Sequence, residues 1–194
     1  SNLAFSLCNV GRYEDALKIR EKVLSLQKEV MGENNQETIS TMSELASSYN
    51  TLGRYEDAMN ILDEALSLQK EVLGTEHKAT VSTMIDLASG LSTIGRYDEA
   101  LTVLEEIYPV SVDSLGKEHP ATIAVITNMA SCLSNAGRNE EAVKMWDEAF
   151  SLQKKVLGKE HPETMLSMTN LAFSLSNAGR SEEAPEKLEE ALSR

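Results

Sequence analysis

The stretch "GRYEDA" at residues 11–16 recurs letter for letter at residues 53–58. Three near copies follow, "GRYDEA" at 95–100, "GRNEEA" at 137–142 and "GRSEEA" at 179–184. Their glycines stand at 11, 53, 95, 137 and 179, a constant spacing of 42 residues. A fixed period between about 20 and 50 residues is the signature of a repeat array. The sequence therefore predicts a chain built from one repeated structural unit.

Two amphipathic helices are predicted in each period, helix A before the glycine and helix B after it. Gly53 is expected to end helix A in a left-handed conformation, and the acidic Glu56 and Asp57 suit the positive N-terminal end of helix B. The six letters then form the corner of a helical hairpin, in which an alanine allows close approach. These alanines are Ala16, Ala58, Ala100, Ala142 and Ala184.

The apolar residues of both helices recur at helical spacing and predict the core. Those of helix B in the second repeat are Tyr55, Ala58, Leu62, Ala65, Leu66, Val72 and Leu73. Those of helix A are Met42, Leu45, Ala46 and Tyr49, then Met84, Leu87, Ala88 and Leu91, then Ile126, Met129, Ala130 and Leu133, then Met168, Leu171, Ala172 and Leu175.

This hairpin resembles the tetratricopeptide repeat (TPR), through the small residue in the helix A pattern, the glycine corner and the alanine that opens helix B. That repeat has about 34 residues, and the additional ones here lengthen helix B and the turn "LGKEHPxT". The longer form resembles the repeats of kinesin light chain, which also occur in nephrocystin-like proteins and in C-terminal arrays of fungal NTPase (NB-ARC/NACHT) receptors. The resemblance covers the whole chain and implies an all-α fold, a right-handed α-solenoid of TPR hairpins.

We expect one array over residues 1–194, truncated at both ends. Ser1 falls partway through a helix A, and Arg194 stops a helix B before its "LG". A solenoid normally finishes with a polar capping element, because a hairpin does not bury its own apolar face. Neither end supplies a clear cap.

Composition limits the partners. The 194 residues are 41% hydrophobic, with 31 Asp and Glu against 18 Lys and Arg and a net charge of -13. Such a surface repels phosphate backbones and anionic lipids, so we expect neither nucleic acid nor membrane as a partner. Cys8 and Cys132 lie almost three periods apart, which favours a reduced compartment, and with no signal peptide visible we expect a cytoplasmic location.

Three histidines recur at the period, in "EHK", "EHP" and "EHP", and raise the possibility of a metal ladder. Consecutive repeats hold equivalent atoms much farther apart than the ~2 Å of a metal–ligand bond. Asn35, a good N-cap residue, stands at the same place one period earlier, and Pro120 and Pro162 suit a first helical position. We therefore predict that His77, His119 and His161 begin helix A, and we expect no metal or cofactor.

No catalytic motif is present. The sequence has no Gly-rich phosphate loop, HExxH, CxxC or nucleophile elbow. Adjacent acidic pairs such as Glu140 and Glu141 point to different sides of a helix and belong to solvated faces. The chain is predicted not to be an enzyme.

A second stripe on helix A is the candidate binding surface, because in TPR superhelices it lines the concave groove. Asparagines in it resemble those with which related repeats hold the backbone of an extended peptide, since a carboxamide both donates and accepts. The alternative is that these polar residues are solvated and recur only because the repeats are near copies. The candidates are Asn2, Phe5, Asn9, Glu44, Ser47, Thr51, Asp86, Ser89, Thr93, Asn128, Ser131, Asn135, Asn170, Phe173 and Asn177.

The charge of this groove departs from the family. Kinesin light chain takes peptides with a tryptophan among acidic residues, in a basic groove, whereas this stripe holds Glu44 and Asp86 and almost no lysine or arginine. A neutral or basic ligand is favoured over an acidic one.

The predicted function is a protein-interaction module or scaffold that binds a peptide or protein in its groove. The resemblance suggests the sensing or adaptor part of a larger cytosolic protein. The alternative is a structural array or spacer without a peptide ligand, which self-associates through its repeat ends.

Two residues of helix B are unusual. Pro109 lacks a backbone donor and is expected to kink or break its helix. Trp146 shares a helical phase with Ala142 and Ala149, which predicts packing in the core rather than ligand contact.

Overall fold

The structure is a computed structural model that describes residues 12–185. Eight helices are complete within this range, and no strand occurs in it. Helical conformation resumes at residue 183. The prediction of an all-α fold is confirmed. The helices are α1 Tyr13–Met31, α2 Gln36–Thr51, α3 Tyr55–Leu73, α4 Lys78–Thr93, α5 Tyr97–Leu115, α6 Pro120–Asn135, α7 Asn139–Leu157 and α8 Pro162–Asn177.

The chain divides into two compact units, Ser1–Ile94 and Gly95–Arg194. In the first unit, α1 packs on α2, α2 on α3 and α3 on α4; in the second, α5 to α8 pack in the same succession. Odd-numbered helices correspond to helix B and have 19 residues, and even-numbered helices correspond to helix A and have 16. A single continuous array over residues 1–194 remains a prediction.

The repeated corner has the predicted glycine conformation. Gly53 has a φ of 72°, and its neighbour Arg54 donates its backbone N–H to the Tyr49 carbonyl at 2.9 Å. The bond satisfies a carbonyl that the helix end leaves without a partner, and the left-handed φ favours glycine over other residues. Gly95, Gly137 and Gly179 also have positive φ, whereas Gly11 lies outside the described residues.

Each corner also carries an ion pair that the sequence analysis did not predict. The arginine after the glycine pairs with the acidic residue three positions later, at N–O distances of 2.6–2.7 Å. The pairs are largely exposed, so each contributes little stability. They are Arg12–Asp15, Arg54–Asp57, Arg96–Glu99, Arg138–Glu141 and Arg180–Glu183.

The histidines begin helix A, as predicted. Nδ1 of His77, His119 and His161 accepts the backbone N–H two residues later, at 3.2, 3.2 and 3.3 Å. Asn35 does the same through Oδ1 at 2.9 Å.

A buried threonine ties the preceding turn to helix A. Thr38 donates its hydroxyl to the Gly32 carbonyl at 2.9 Å, and Thr80 donates to that of Gly74 at 2.8 Å. Thr122 instead donates its hydroxyl to the Ser111 carbonyl, in the preceding helix, at 3.2 Å. Thr164 is equally buried, but its hydroxyl has no hydrogen-bond partner. The threonine at this place is buried in all four copies, and in the first two it bonds the turn before helix A.

The predicted core is mostly buried. The corner alanines are fully buried in the first four repeats, and Ala184 is half-buried. Met129, Met168 and Ala172 are also half-buried. The prediction was wrong for Tyr55 and Val72, which are exposed, because they lie at the two ends of α3 where its packing against neighbouring helices is incomplete.

Helix α5 continues through Pro109, so the helix is not broken there. Pro109 is exposed, which leaves solvent to satisfy the carbonyl one turn earlier. Trp146 is buried in α7, in agreement with its predicted packing role. Cys132 is buried in α6, and Cys8 lies outside the described residues.

Candidate functional site

The predicted groove residues lie on the even-numbered helices. Twelve fall within residues 12–185, six in each unit, and all are exposed except the half-buried Ser131 and Asn170. Asn2, Phe5 and Asn9 lie outside the described residues. The six of the first unit are Glu44, Ser47, Thr51, Asp86, Ser89 and Thr93, and those of the second are Asn128, Ser131, Asn135, Asn170, Phe173 and Asn177.

Four of these residues line one cavity in the first unit, which we call the central cavity. It has a volume of about 370 Å³ and receives residues from α2, α3 and α4. The structure thus brings part of the predicted set around a single concave site. The four are Ser47, Asp86, Ser89 and Thr93, and the other lining residues are Ser43, Ala46, Asn50, Tyr55, Leu62 and Gly90.

A second cavity of the first unit, the polar cavity, has a volume of about 240 Å³. It shares Ser43 and Asp86 with the central cavity. Asp86 therefore contributes to two adjoining depressions. The remaining lining residues are Gln36, Ile39, Ser40, Gln69, Val72, Leu73, Ala79, Ser82 and Thr83.

The second unit has an equivalent cavity of about 420 Å³, the apolar cavity, between α6, α7 and α8. Its lining residues match those of the polar cavity two periods earlier, but the walls differ in chemistry. Ala124 and Leu166 replace the serines at 40 and 82, and Trp146 joins the wall. The remaining residues are Pro120, Ile123, Thr127, Gln153, Val156, Leu157, His161, Glu163 and Ser167.

Sequence reasoning missed these two matched cavities. They are lined mainly by the first half of helix A and the last turns of helix B, whereas the predicted residues lie farther along helix A. One signal was available. Leu166 is apolar and 60% exposed at a stripe position where the first unit has serine.

A buried glutamine lines each of the matched cavities. Gln69 is 5% exposed and Gln153 is 4% exposed, yet the Oε1 atom of each has no hydrogen-bond partner in the protein. A buried polar atom without a partner costs about 1–3 kcal/mol. Both units thus keep a buried carboxamide without a protein partner at an equivalent place beside a cavity.

Trp146 is held by hydrogen bonds. Its Nε1 donates to Oγ of Ser134 at 3.0 Å, and that hydroxyl lies 3.1 Å from Oγ of Ser174. The indole therefore connects α7 with α6 and α8, and one of its faces contributes to the apolar cavity. The prediction that Trp146 packs in the core is confirmed, and the cavity adds surface to that role.

The two acidic groove residues have different surroundings. Glu44 lies 3.5 Å from Nε of Arg20, whose Nη1 donates to Ser48 at 2.6 Å. Asp86 has no basic partner among residues 12–185, and burial raises the pKa of its carboxyl. Leu62 stands one period after Arg20, so the second repeat lacks the cation that the first provides.

Other classes of site receive no support within the described range. Among residues 12–185, no group of three or more His, Cys, Asp and Glu side chains is placed to hold a metal ion. None of the helices there combines the length and the apolar character that crossing a bilayer requires.

The tetratricopeptide repeat family model matches residues 1–71, 37–111 and 121–194. Comparison with curated proteins gives no match.

Among solved structures, the nearly identical TPR-like repeats of a kinesin light chain from Podosopora anserina are 26% identical. The match has a TM-score of 0.82 and covers 98% of this chain and 90% of that one. BtubC (BKLC) of P. vanneervenii is 17% identical, with a TM-score of 0.78, and the match covers 97% of this chain and 75% of that one. MamA from Desulfovibrio magneticus RS-1 is 17% identical, with a TM-score of 0.70, and the match covers 98% of this chain and 90% of that one. At this level of identity, MamA and BtubC support the fold alone.

Proposed function

The chain belongs to the tetratricopeptide repeat family, with repeats of the kinesin-light-chain type, and we propose that it binds an extended segment of a partner protein along its helix A faces. TPR repeats generally mediate protein–protein interaction, and their scaffolds are generally not enzymes. The single observation that carries the proposal is the matched pair of cavities, with Asp86 and three serines in the wall of the first and Trp146 and Leu166 in the wall of the second.

The cavities suit the side chains of an extended segment. Alternate residues of such a segment point the same way, so a depression in either unit can receive one of its side chains. The apolar cavity, with Trp146 and Leu166 in its wall, favours a large apolar residue. The polar cavity, with Asp86 and three serines, favours a neutral or basic one.

The asparagines of the second unit complement the cavities. Asn128 is exposed and Asn170 is half-buried, at equivalent positions of α6 and α8. A carboxamide offers both a donor and an acceptor, which suits the backbone of a bound segment whatever its sequence. We assign them to backbone contacts and the cavities to side-chain selection.

We place the chain as a scaffold within a larger cytosolic protein, as its sensing or adaptor part. This setting follows the resemblance to kinesin-light-chain repeats. The partner is a peptide or protein and not nucleic acid or membrane, because the net charge of -13 repels anionic surfaces.

A random peptide display library, selected on the purified protein, tests the proposal. We expect enriched peptides that share an apolar residue, and we expect capture to fail with the Asn128→Ala, Asn170→Ala double variant. Leu166→Asp should also abolish capture, because it places a charge in the apolar cavity. Val30→Asp is the matched control, since Val30 is 80% exposed on α1 and lines none of the three cavities.

Two results would contradict the proposal. Enriched peptides that bind the double variant and Leu166→Asp as tightly as the unmodified protein would place binding elsewhere. A library without enriched peptides, together with a molar mass in solution that rises with concentration, would favour the self-associating array.

A further inference from the structure

We propose that Asp86 and the two cavities it lines form a binding site for an arginine side chain of the partner. This inference rests on the groove function proposed above and specifies one residue type that the partner must supply. The site consists of the Asp86 carboxylate together with Ser43, Asn50, Gln69 and Ser89.

The preceding repeat contains an internal equivalent of the proposed complex. There Glu44, one period before Asp86, pairs with Arg20, and the Arg20 guanidinium also donates to a serine. The next repeat replaces that arginine by Leu62, which is buried and lines the central cavity beside Asp86. The carboxylate is thus kept while its cation is absent, and the residue that replaces the cation lines an open cavity.

Two acceptors in the cavities that Asp86 lines lack donors. Oδ1 of Asn50, in the central cavity, has no hydrogen-bond partner in the protein. Oε1 of Gln69, in the polar cavity, also has no hydrogen-bond partner, although Gln69 is only 5% exposed. A ligand that carries several N–H donors would suit cavities that hold a carboxylate and two amide oxygens without donors.

Arginine meets this requirement better than lysine. A guanidinium has five N–H donors in a planar fork that matches a carboxylate in two parallel bonds, and it is more weakly hydrated than an ammonium. It therefore loses less on entering a partly buried site. Partial desolvation of the Asp86 carboxylate raises its pKa, so a bound cation would stabilise the charged form.

The long-range charge of the chain supports the same ligand. A net charge of -13 attracts cationic segments and repels acidic ones. The hydroxyls of Ser43 and Ser89 add acceptors at the wall of the cavities, and because they are neutral they do not repel a cationic ligand.

The site is tested with acetyl-arginine methylamide as the probe, in an NMR titration of the whole chain. We expect saturable shifts at the Gly90 and Ser43 amides and at the Asp86 carboxyl carbon. Acetyl-citrulline methylamide, which is neutral and nearly isosteric, should leave them unchanged, and acetyl-lysine methylamide with a free side-chain amine should bind more weakly than the arginine probe.

Asp86→Asn is the decisive variant, because asparagine occupies the equivalent positions 128 and 170 and the fold accepts it there. We expect its affinity for the arginine probe to fall about tenfold or more, as for other charge-assisted hydrogen bonds. Asp63→Asn is the matched control, since it removes the same charge from an exposed position of α3 that lines none of the three cavities, and the probe should bind as before.

The proposal is overturned if the arginine probe leaves Gly90, Ser43 and Asp86 unshifted, if citrulline binds equally well, or if Asp86→Asn binds as tightly as the unmodified chain. The peptide library separates this result from failure of the groove function. Enriched peptides without arginine, with an unshifted Asp86, would remove only the arginine site. An arginine probe bound at Asp86, with no enriched peptide, would support the site and remove the extended-segment function.

Discussion

A Cβ atom added to Gly90 would lie 2.1 Å from Cε and 2.4 Å from Sδ of Met59. The two residues face each other between α3 and α4, and both are buried. One period earlier the chain has Leu17 and Ser48 at these positions. The longer methionine thus occurs together with the residue that has no side chain.

This relationship predicts that Gly90→Ser destabilises the protein by about 1 kcal/mol, because the buried end of Met59 must leave a favourable rotamer. The double variant Met59→Leu, Gly90→Ser should recover that loss, since it copies the Leu17 and Ser48 combination. Urea unfolding of the four proteins gives the coupling energy. Additive effects of the two substitutions would show that the contact is not the cause.

The buried threonines predict opposite effects of one substitution. Thr80→Val removes a hydroxyl that donates to the Gly74 carbonyl, and should destabilise the protein by about 1 kcal/mol. Thr164→Val removes a buried hydroxyl that has no partner, and should be neutral or stabilising. Thermal unfolding of both variants decides the matter, and equal losses would contradict the role of the turn bond.

The histidine caps predict a graded series at position 119. His119→Ala loses the acceptor for the Ala121 N–H and should cost about 1 kcal/mol. His119→Asn keeps a cap like that of Asn35 and should retain the stability of the original protein. If His119→Asn were as unstable as His119→Ala, contacts of the imidazole ring and not the cap would account for the loss.

The surroundings of Tyr49 predict that the stability of the protein falls at high pH. Burial, and then its hydrogen bond to Glu21 at 2.8 Å, raise the pKa of Tyr49 from 10.0 to about 12. The folded state then holds a proton that the unfolded state has released. The contribution of Tyr49 to stability is therefore complete below pH 10 and is lost as pH rises towards 12.

Absorbance titration of tyrosinate should show one of the five tyrosines ionising late, and this step should be missing from Tyr49→Phe. The stability of Tyr49→Phe should fall less between pH 10 and pH 12 than that of the unmodified chain. Parallel losses in the two proteins would be inconsistent with the raised pKa.

The sequence predicts those features that depend on neighbouring residues. The Gly53 corner and the His119 cap need only a few consecutive positions, so the repeated letters were enough to find them. Tyr55 and Val72 fit the amphipathic period of α3 but are exposed, because periodicity gives the face of a residue and not how far the neighbouring helices extend. The candidate Asp86 site depends on what α3 provides at position 62, and the spacing along helix A holds no information about that.

Each internal turn of the chain brings its own means of ending one helix and beginning the next: a left-handed glycine, a capping side chain and a threonine. Most of these hydrogen bonds join residues of the same turn, so they depend little on distant parts of the sequence. A genetic duplication or deletion of one 42-residue unit would thus leave every remaining turn intact. The cavity linings differ between copies while the glycine and the capping side chain recur in each turn, so unequal recombination between repeats could change the ligand preference of this protein and keep its fold.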